Sequence, residues 1–114
     1  MNPFEVPTVS VDDLPADAVV LDVREDEEWV AGHIEGAVHV PMNRVPGAAA
    51  DDPEAVPADQ PIVVVCKVGA RSAAVTAWLG RNGYDAWNLS GGMLAWVRAG
   101  RPMVSETGSP PTIS

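Results

Sequence analysis

Two stretches of the chain are apolar at nearly every position, Ala18-Val19-Val20-Leu21-Asp22-Val23 and Ile62-Val63-Val64-Val65-Cys66. Short runs of this kind, rich in β-branched residues and lacking polar alternation, are strands covered on both faces. Three shorter strands are read at Thr8-Val9-Ser10-Val11, Ala37-Val38-His39-Val40 and Ala86-Trp87-Asn88-Leu89, the last set between Gly83 and the turn Ser90-Gly91-Gly92. The spacing predicts a helix over Ser72 to Asn82, stopped by Gly83 as its C-terminal cap. A shorter helix is read from Glu25 to Ala31. Its first turn carries Glu25, Asp26, Glu27 and Glu28, where the positive end of the helix dipole favours carboxylates, so this acidic run is a helix start and not a metal site. Strands alternating with helices predict an α/β domain built on a parallel sheet of about five strands.

At 114 residues the chain fits one domain, read as residues 1–104 followed by a flexible tail, 105–114, that contains Gly108, Pro110 and Pro111. Between Asn43 and Gln60, Pro46, Pro53 and Pro57 with Gly47 and three successive alanines predict a loose connection holding at most one short helix. No internal repeat is visible. A hydrophobic fraction of 46% suits a folded core.

Charge narrows the function. Sixteen acidic residues against seven basic ones give a net charge of −9, which repels nucleic acid and anionic membranes. No segment approaches the roughly 20 apolar residues of a membrane span, and the first residues lack a basic-then-apolar secretion signal. A cytoplasmic location, with no nucleic-acid or membrane partner, is the expectation. The single cysteine cannot form an internal disulfide, which leaves its thiol for packing or for chemistry.

The surroundings of that cysteine favour chemistry. Cys66-Lys67-Val68-Gly69-Ala70-Arg71-Ser72 lies where a buried strand ends and a helix begins, the edge of an open α/β sheet where reactive groups collect. A tight strand-to-helix loop aims backbone N–H groups inward, and the free N–H groups of the helix start join them to cradle negative charge. At the centre of such a cradle, Cys66 is stabilised as a thiolate, with Lys67 and Arg71 adding positive charge and Gly69 allowing a positive φ. Free cysteines are often inert core residues. Lys67, Gly69 and Arg71 are odd neighbours for an inert one. The other residues that attract attention have structural readings. His33 and His39 lack a third ligand at metal spacing and are read as packing or hydrogen-bonding residues. Asp22 and Arg24 are read as making a supporting ion pair or loop hydrogen bonds, and Trp29, Trp78, Trp87 and Trp96 as core or rim aromatics.

The loop resembles that of the rhodanese-like domains, whose pattern is Cys, a basic residue, any residue, Gly, any residue, Arg, then Ser or Thr. Lys67 stands where arginine is frequent, which keeps the charge and loses a planar fork. Two further motifs resemble the same family: Leu21-Asp22-Val23-Arg24-Glu25 followed by Glu28-Trp29, Gly32-His33-Ile34, Gly36-Ala37 and Pro41, and Gly91-Gly92-Met93-Leu94-Ala95-Trp96 with Gly100. The resemblance runs from Leu21 to Pro102 and is weakest over Asn43 to Gln60, where the family's expected helix is hard to see. It implies a five-stranded parallel sheet with helices on both faces, a catalytic Cys66, and sulfur transfer without metal or organic cofactor. Lys67, Val68, Gly69, Ala70, Arg71 and Ser72 would bind the substrate. The donor would be a small sulfur anion such as thiosulfate. With no second cysteine to resolve a persulfide, the acceptor would be cyanide, an outside thiol or a sulfur-accepting protein. Two other readings compete: a non-catalytic persulfide relay or binding module on the same fold, and a phosphatase or arsenate reductase. The latter enzymes place five residues between cysteine and arginine, whereas four separate Cys66 from Arg71.

Overall fold

A computed structural model of the chain describes residues 5–114; Met1 to Phe4, the start of the domain read over 1–104, lie outside the described residues. Five strands, β1 (Thr8–Val9), β2 (Val19–Asp22), β3 (Val38–His39), β4 (Ile62–Val65) and β5 (Ala86–Leu89), form one parallel sheet in the order β1-β5-β4-β2-β3. Four helices connect or follow them: α1 (Asp26–Ala31), α2 (Val45–Asp51), α3 (Ala70–Arg81) and α4 (Gly92–Arg98). None is long and apolar enough to cross a membrane.

The continuous apolar run of β4 puts it at the sheet's centre, with Ile62, Val63, Val64 and Val65 all 0% exposed. Alternation along the strand then builds two cores. Ile62, Val64 and Cys66 meet Val75 and Leu79 of α3 and Val45 of α2 on one face. Val63 and Val65 meet Leu89 of β5 and Met93 and Trp96 of α4 on the other. Each such fully buried aliphatic side chain contributes about 1.5–3 kcal/mol. These two cores hold the C-terminal ends of β2, β4 and β5 side by side.

Several element boundaries move for local reasons. Val11 leaves β1 for a single 3-10 turn over Val11–Asp13. Glu25 stays extended and caps α1 through a capping box with Glu28. The proline-rich connection holds one short helix, α2, with Pro46 in its first turn, where the missing N–H costs no hydrogen bond. Residues 105–114 run alongside α1: the Glu106 N–H donates to the Val30 carbonyl, the Thr112 N–H to the Ala31 carbonyl, and Ile113 packs on the core. Exposed carbonyls at the end of a two-turn helix give an extended chain something to bond, whatever its glycine and proline content.

Candidate active site

Cys66 follows the last residue of β4, and the chain then curls over it. Gly69 adopts φ +111° and turns the backbone into α3, which therefore begins at Ala70, two residues before the start read from the pattern of side chains. The curl brings three donors to the sulfur. The Gly69 N–H donates to Cys66 Sγ at 3.1 Å, the Ser72 N–H lies at 3.4 Å, and the Ser72 hydroxyl at 3.2 Å. Amides that point inward leave carbonyls pointing outward. The Cys66 and Lys67 carbonyls accept from the N–H groups of Met93 (2.9 Å) and Leu94 (3.2 Å), the first turn of α4. This approach is so close that a Cβ on Gly92 would collide with both carbonyls, which is why a glycine opens α4.

Burial alone pushes the Cys66 thiol up, because a charged sulfur loses water there. The Ser72 hydroxyl and the N–H groups of Ser72, Gly69 and Val68 outweigh that effect and hold the pKa below that of an ordinary cysteine. The residue is 1% exposed, while Val68 and Ala70 of the same loop are exposed.

The two basic side chains of the loop differ. Lys67 is half-buried and forms no ion pair among the described residues. Arg71 is gripped bidentately by Glu28 of α1, at 2.7 Å and 3.0 Å. The Arg71 hydrogen bonds hold the Glu28 carboxyl at about 2, against an ordinary value of 4.5. Glu28 also accepts the Glu25 N–H, so one carboxylate both caps α1 and anchors the loop arginine. Helix-start logic finds the first role, and nothing in the sequence spacing signals the second.

Asn88 of β5 also reaches the loop. Its side-chain amide donates to the Gly69 carbonyl at 3.2 Å, and its Oδ1 lies 2.6 Å from the Ser72 hydroxyl. The run Ala86-Trp87-Asn88-Leu89 marks Asn88 only as a polar residue among apolar ones.

Asp22 and Arg24 form an ion pair at 2.7 Å with both side chains 0% exposed, and Arg24 donates further to the Gly32 carbonyl. The pair ties the end of β2 to the end of α1. Trp29 lies between His33 and His39, stacked at 3.6 Å and 4.8 Å, while His33 bonds the Trp29 carbonyl and His39 the Arg24 carbonyl. These residues brace α1, the helix that carries Glu28. An apolar groove between α2 and α3, lined by Met42, Pro46 and Trp78 among others, includes none of the loop residues Cys66 to Ser72.

A buried cysteine at the C-terminal edge of a parallel α/β sheet, its sulfur ringed by amide and hydroxyl donors, defines a thiol-anion site. The comparisons with known proteins give that class its family. The sequence profile of the rhodanese-like domain matches residues 10–99. A sulfurtransferase of Allochromatium vinosum is 36% identical over 93 residues, covering 81% of this chain and 83% of that protein. The thiosulfate sulfurtransferase GlpE of Actinobacillus succinogenes is 36% identical over 95 residues, covering 82% of each. Among solved structures, a rhodanese-related protein from Thermoplasma volcanium superposes with a TM-score of 0.75 at 28% identity, over 86% of this chain and 97% of that one. The chain belongs to the rhodanese-like domain family.

Proposed function

We propose that this chain is a thiosulfate-type sulfurtransferase that carries one sulfur atom on Cys66. The observation that carries the reading is the ring of donors, three of them within 3.1–3.4 Å of Sγ. They stabilise an anion at the position where a nucleophile is needed. The similarity to sulfurtransferases along most of their length supports the same class of reaction.

In the first half-reaction the Cys66 thiolate attacks the outer sulfur of thiosulfate. The new Sγ–S bond forms, the sulfur–sulfur bond of the donor breaks, and sulfite leaves with its electron pair. In the second, an outside nucleophile such as cyanide or a thiolate attacks the outer sulfur of the persulfide and Cys66 departs as the thiolate. Two half-reactions sharing a covalent intermediate give ping-pong kinetics. Inward amides of the loop, from Lys67 to Ser72, receive the negative charge as it moves outward by one atom. Lys67 is the side chain available to attract an incoming anion. Arg71 acts more as the loop's anchor than as a free receptor, since Glu28 neutralises it.

Loop length weighs against the phosphatase reading, since four residues separate Cys66 from Arg71, one fewer than in the loop such enzymes use. A persulfide relay that passes sulfur to a partner protein uses the same loop, and differs only in how fast the second half-reaction runs with small acceptors. The test is thiocyanate production from thiosulfate and cyanide by wild type and by Cys66→Ser. Loss of turnover with an unchanged melting temperature supports the proposal; retained turnover in the mutant defeats it.

A further inference from the structure

The Asn88 side chain is buried and meets the sulfur-binding loop at two atoms. Its orientation is fixed by Gly69: with the amide turned over, two carbonyl oxygens would face each other. Oδ1 therefore has no proton to give, and the 2.6 Å bond between Asn88 and Ser72 is donated by the serine. Ser72 has one hydroxyl proton, yet its oxygen also stands 3.2 Å from Cys66 Sγ. One proton cannot serve both partners at once.

The chemical state of the sulfur decides where that proton goes. A neutral thiol donates its own proton to the Ser72 oxygen, and Ser72 donates to Asn88. A thiolate has no proton, so Ser72 turns to Sγ and leaves the Asn88 carbonyl without a donor. In a persulfide the charge sits on the outer sulfur and Sγ is bonded on both sides, so Ser72 turns back to Asn88. We propose that Asn88 is a positioning residue that competes with the Cys66 sulfur for the single proton of Ser72, opposing the empty thiolate and favouring the loaded cysteine. The statement about the loaded cysteine rests on the sulfur-carrier reading above; the competition for the proton does not.

Asn88 has a second, opposite influence. By bonding the Gly69 carbonyl, which also accepts the Ala73 N–H at 3.1 Å, it steadies the residue whose own N–H holds the sulfur. Removing Asn88 thus frees the Ser72 proton and loosens Gly69 together, and only the first effect needs the serine. The charges around the sulfur are Lys67 and Arg71 of the loop, Glu25 and Glu28 at the cap and first turn of α1, and the Asp22–Arg24 pair at the end of β2. They are common to every variant compared and cancel.

The experiment follows thiolate absorbance against pH in wild type, Asn88→Ala, Ser72→Ala and the double variant, with no sulfur donor present. Cys66 is the sole cysteine, so the signal reports one group. The pKa change caused by Asn88→Ala is expected to be more downward when Ser72 is present than in the Ser72→Ala background, by about half to one pH unit, the size of one hydrogen bond. Equal changes in the two backgrounds, or a more upward change with Ser72 present, overturn the proposal. Asn88→Leu repeats the comparison with the buried volume filled. If neither variant folds, Asn88→Asp keeps the acceptor and strengthens it, and its upward shift is expected to be larger with Ser72 than without; an equal shift overturns the proposal. Turnover is not measured, so this result and the thiocyanate test fail independently.

Discussion

Ser72 joins the strand end, the helix start and the sulfur at one buried point. Its N–H and hydroxyl both face Sγ, and the hydroxyl contributes more than any other donor to holding the thiol's pKa down. Ser72→Ala is expected to raise that pKa by about half to one unit. The check is the pH dependence of alkylation by iodoacetamide, and an unmoved midpoint would mean the backbone amides suffice. Glu28 makes a second prediction at this scale. Its carboxyl is held at about 2 in the folded chain against an ordinary 4.5, so the ion pair's stabilisation is fully present above about pH 4.5 and disappears as the pH falls toward 2. With Arg71 a third exposed, screening reduces the contribution to on the order of 1–2 kcal/mol. Glu28→Gln should flatten the stability profile through that interval in denaturant melts; a wild-type slope in the variant would remove Glu28 as the anchor.

Among the elements, the loop from Cys66 to Ser72 takes its shape from both sides. β4 and α3 continue it in sequence, while α1 and α4 hold it from outside through Arg71–Glu28 and the Met93 and Leu94 amides. Two glycines make this possible for different reasons. A Cβ on Gly69 would make only ordinary contacts, its nearest neighbours 3.8 Å away, but φ +111° disfavours any other residue. Gly69→Ala should cost about 1–2 kcal/mol and raise the thiol's pKa as the amide swings. Gly92→Ala faces two carbonyls as well as a positive φ, and should cost about 3 kcal/mol or more. Paired thermal melts give the comparison, and a milder loss at Gly92 than at Gly69 would contradict this ordering. The sequence makes the Gly91-Gly92 pair visible as a turn. It hides the helix after it, because α4 is two turns long and begins with residues that ordinarily end helices.

At the scale of the whole molecule, the legible features are those set by burial on both sides of a sheet. The runs around Leu21 and Val64 identify the central strands, and the end of one of them locates Cys66 and its loop. Hidden features depend on side chains meeting across long separations: Glu28 with Arg71, Asn88 with Ser72, and residues 105–114 with α1. Local spacing carries no record of such partners. For the last of these, truncation after Val104 removes the Glu106 and Thr112 hydrogen bonds and the Ile113 contact. A loss of about 1 kcal/mol would lower the Tm by roughly 4–8 °C; an unchanged Tm would restore the reading of a free tail. Sulfur carriage itself is tested most directly by the intact mass of the wild-type protein after incubation with thiosulfate. One added sulfur atom per chain, located on Cys66 and released by a reducing agent, is the expected result. An unaltered mass, or sulfur added elsewhere in the chain, would contradict it.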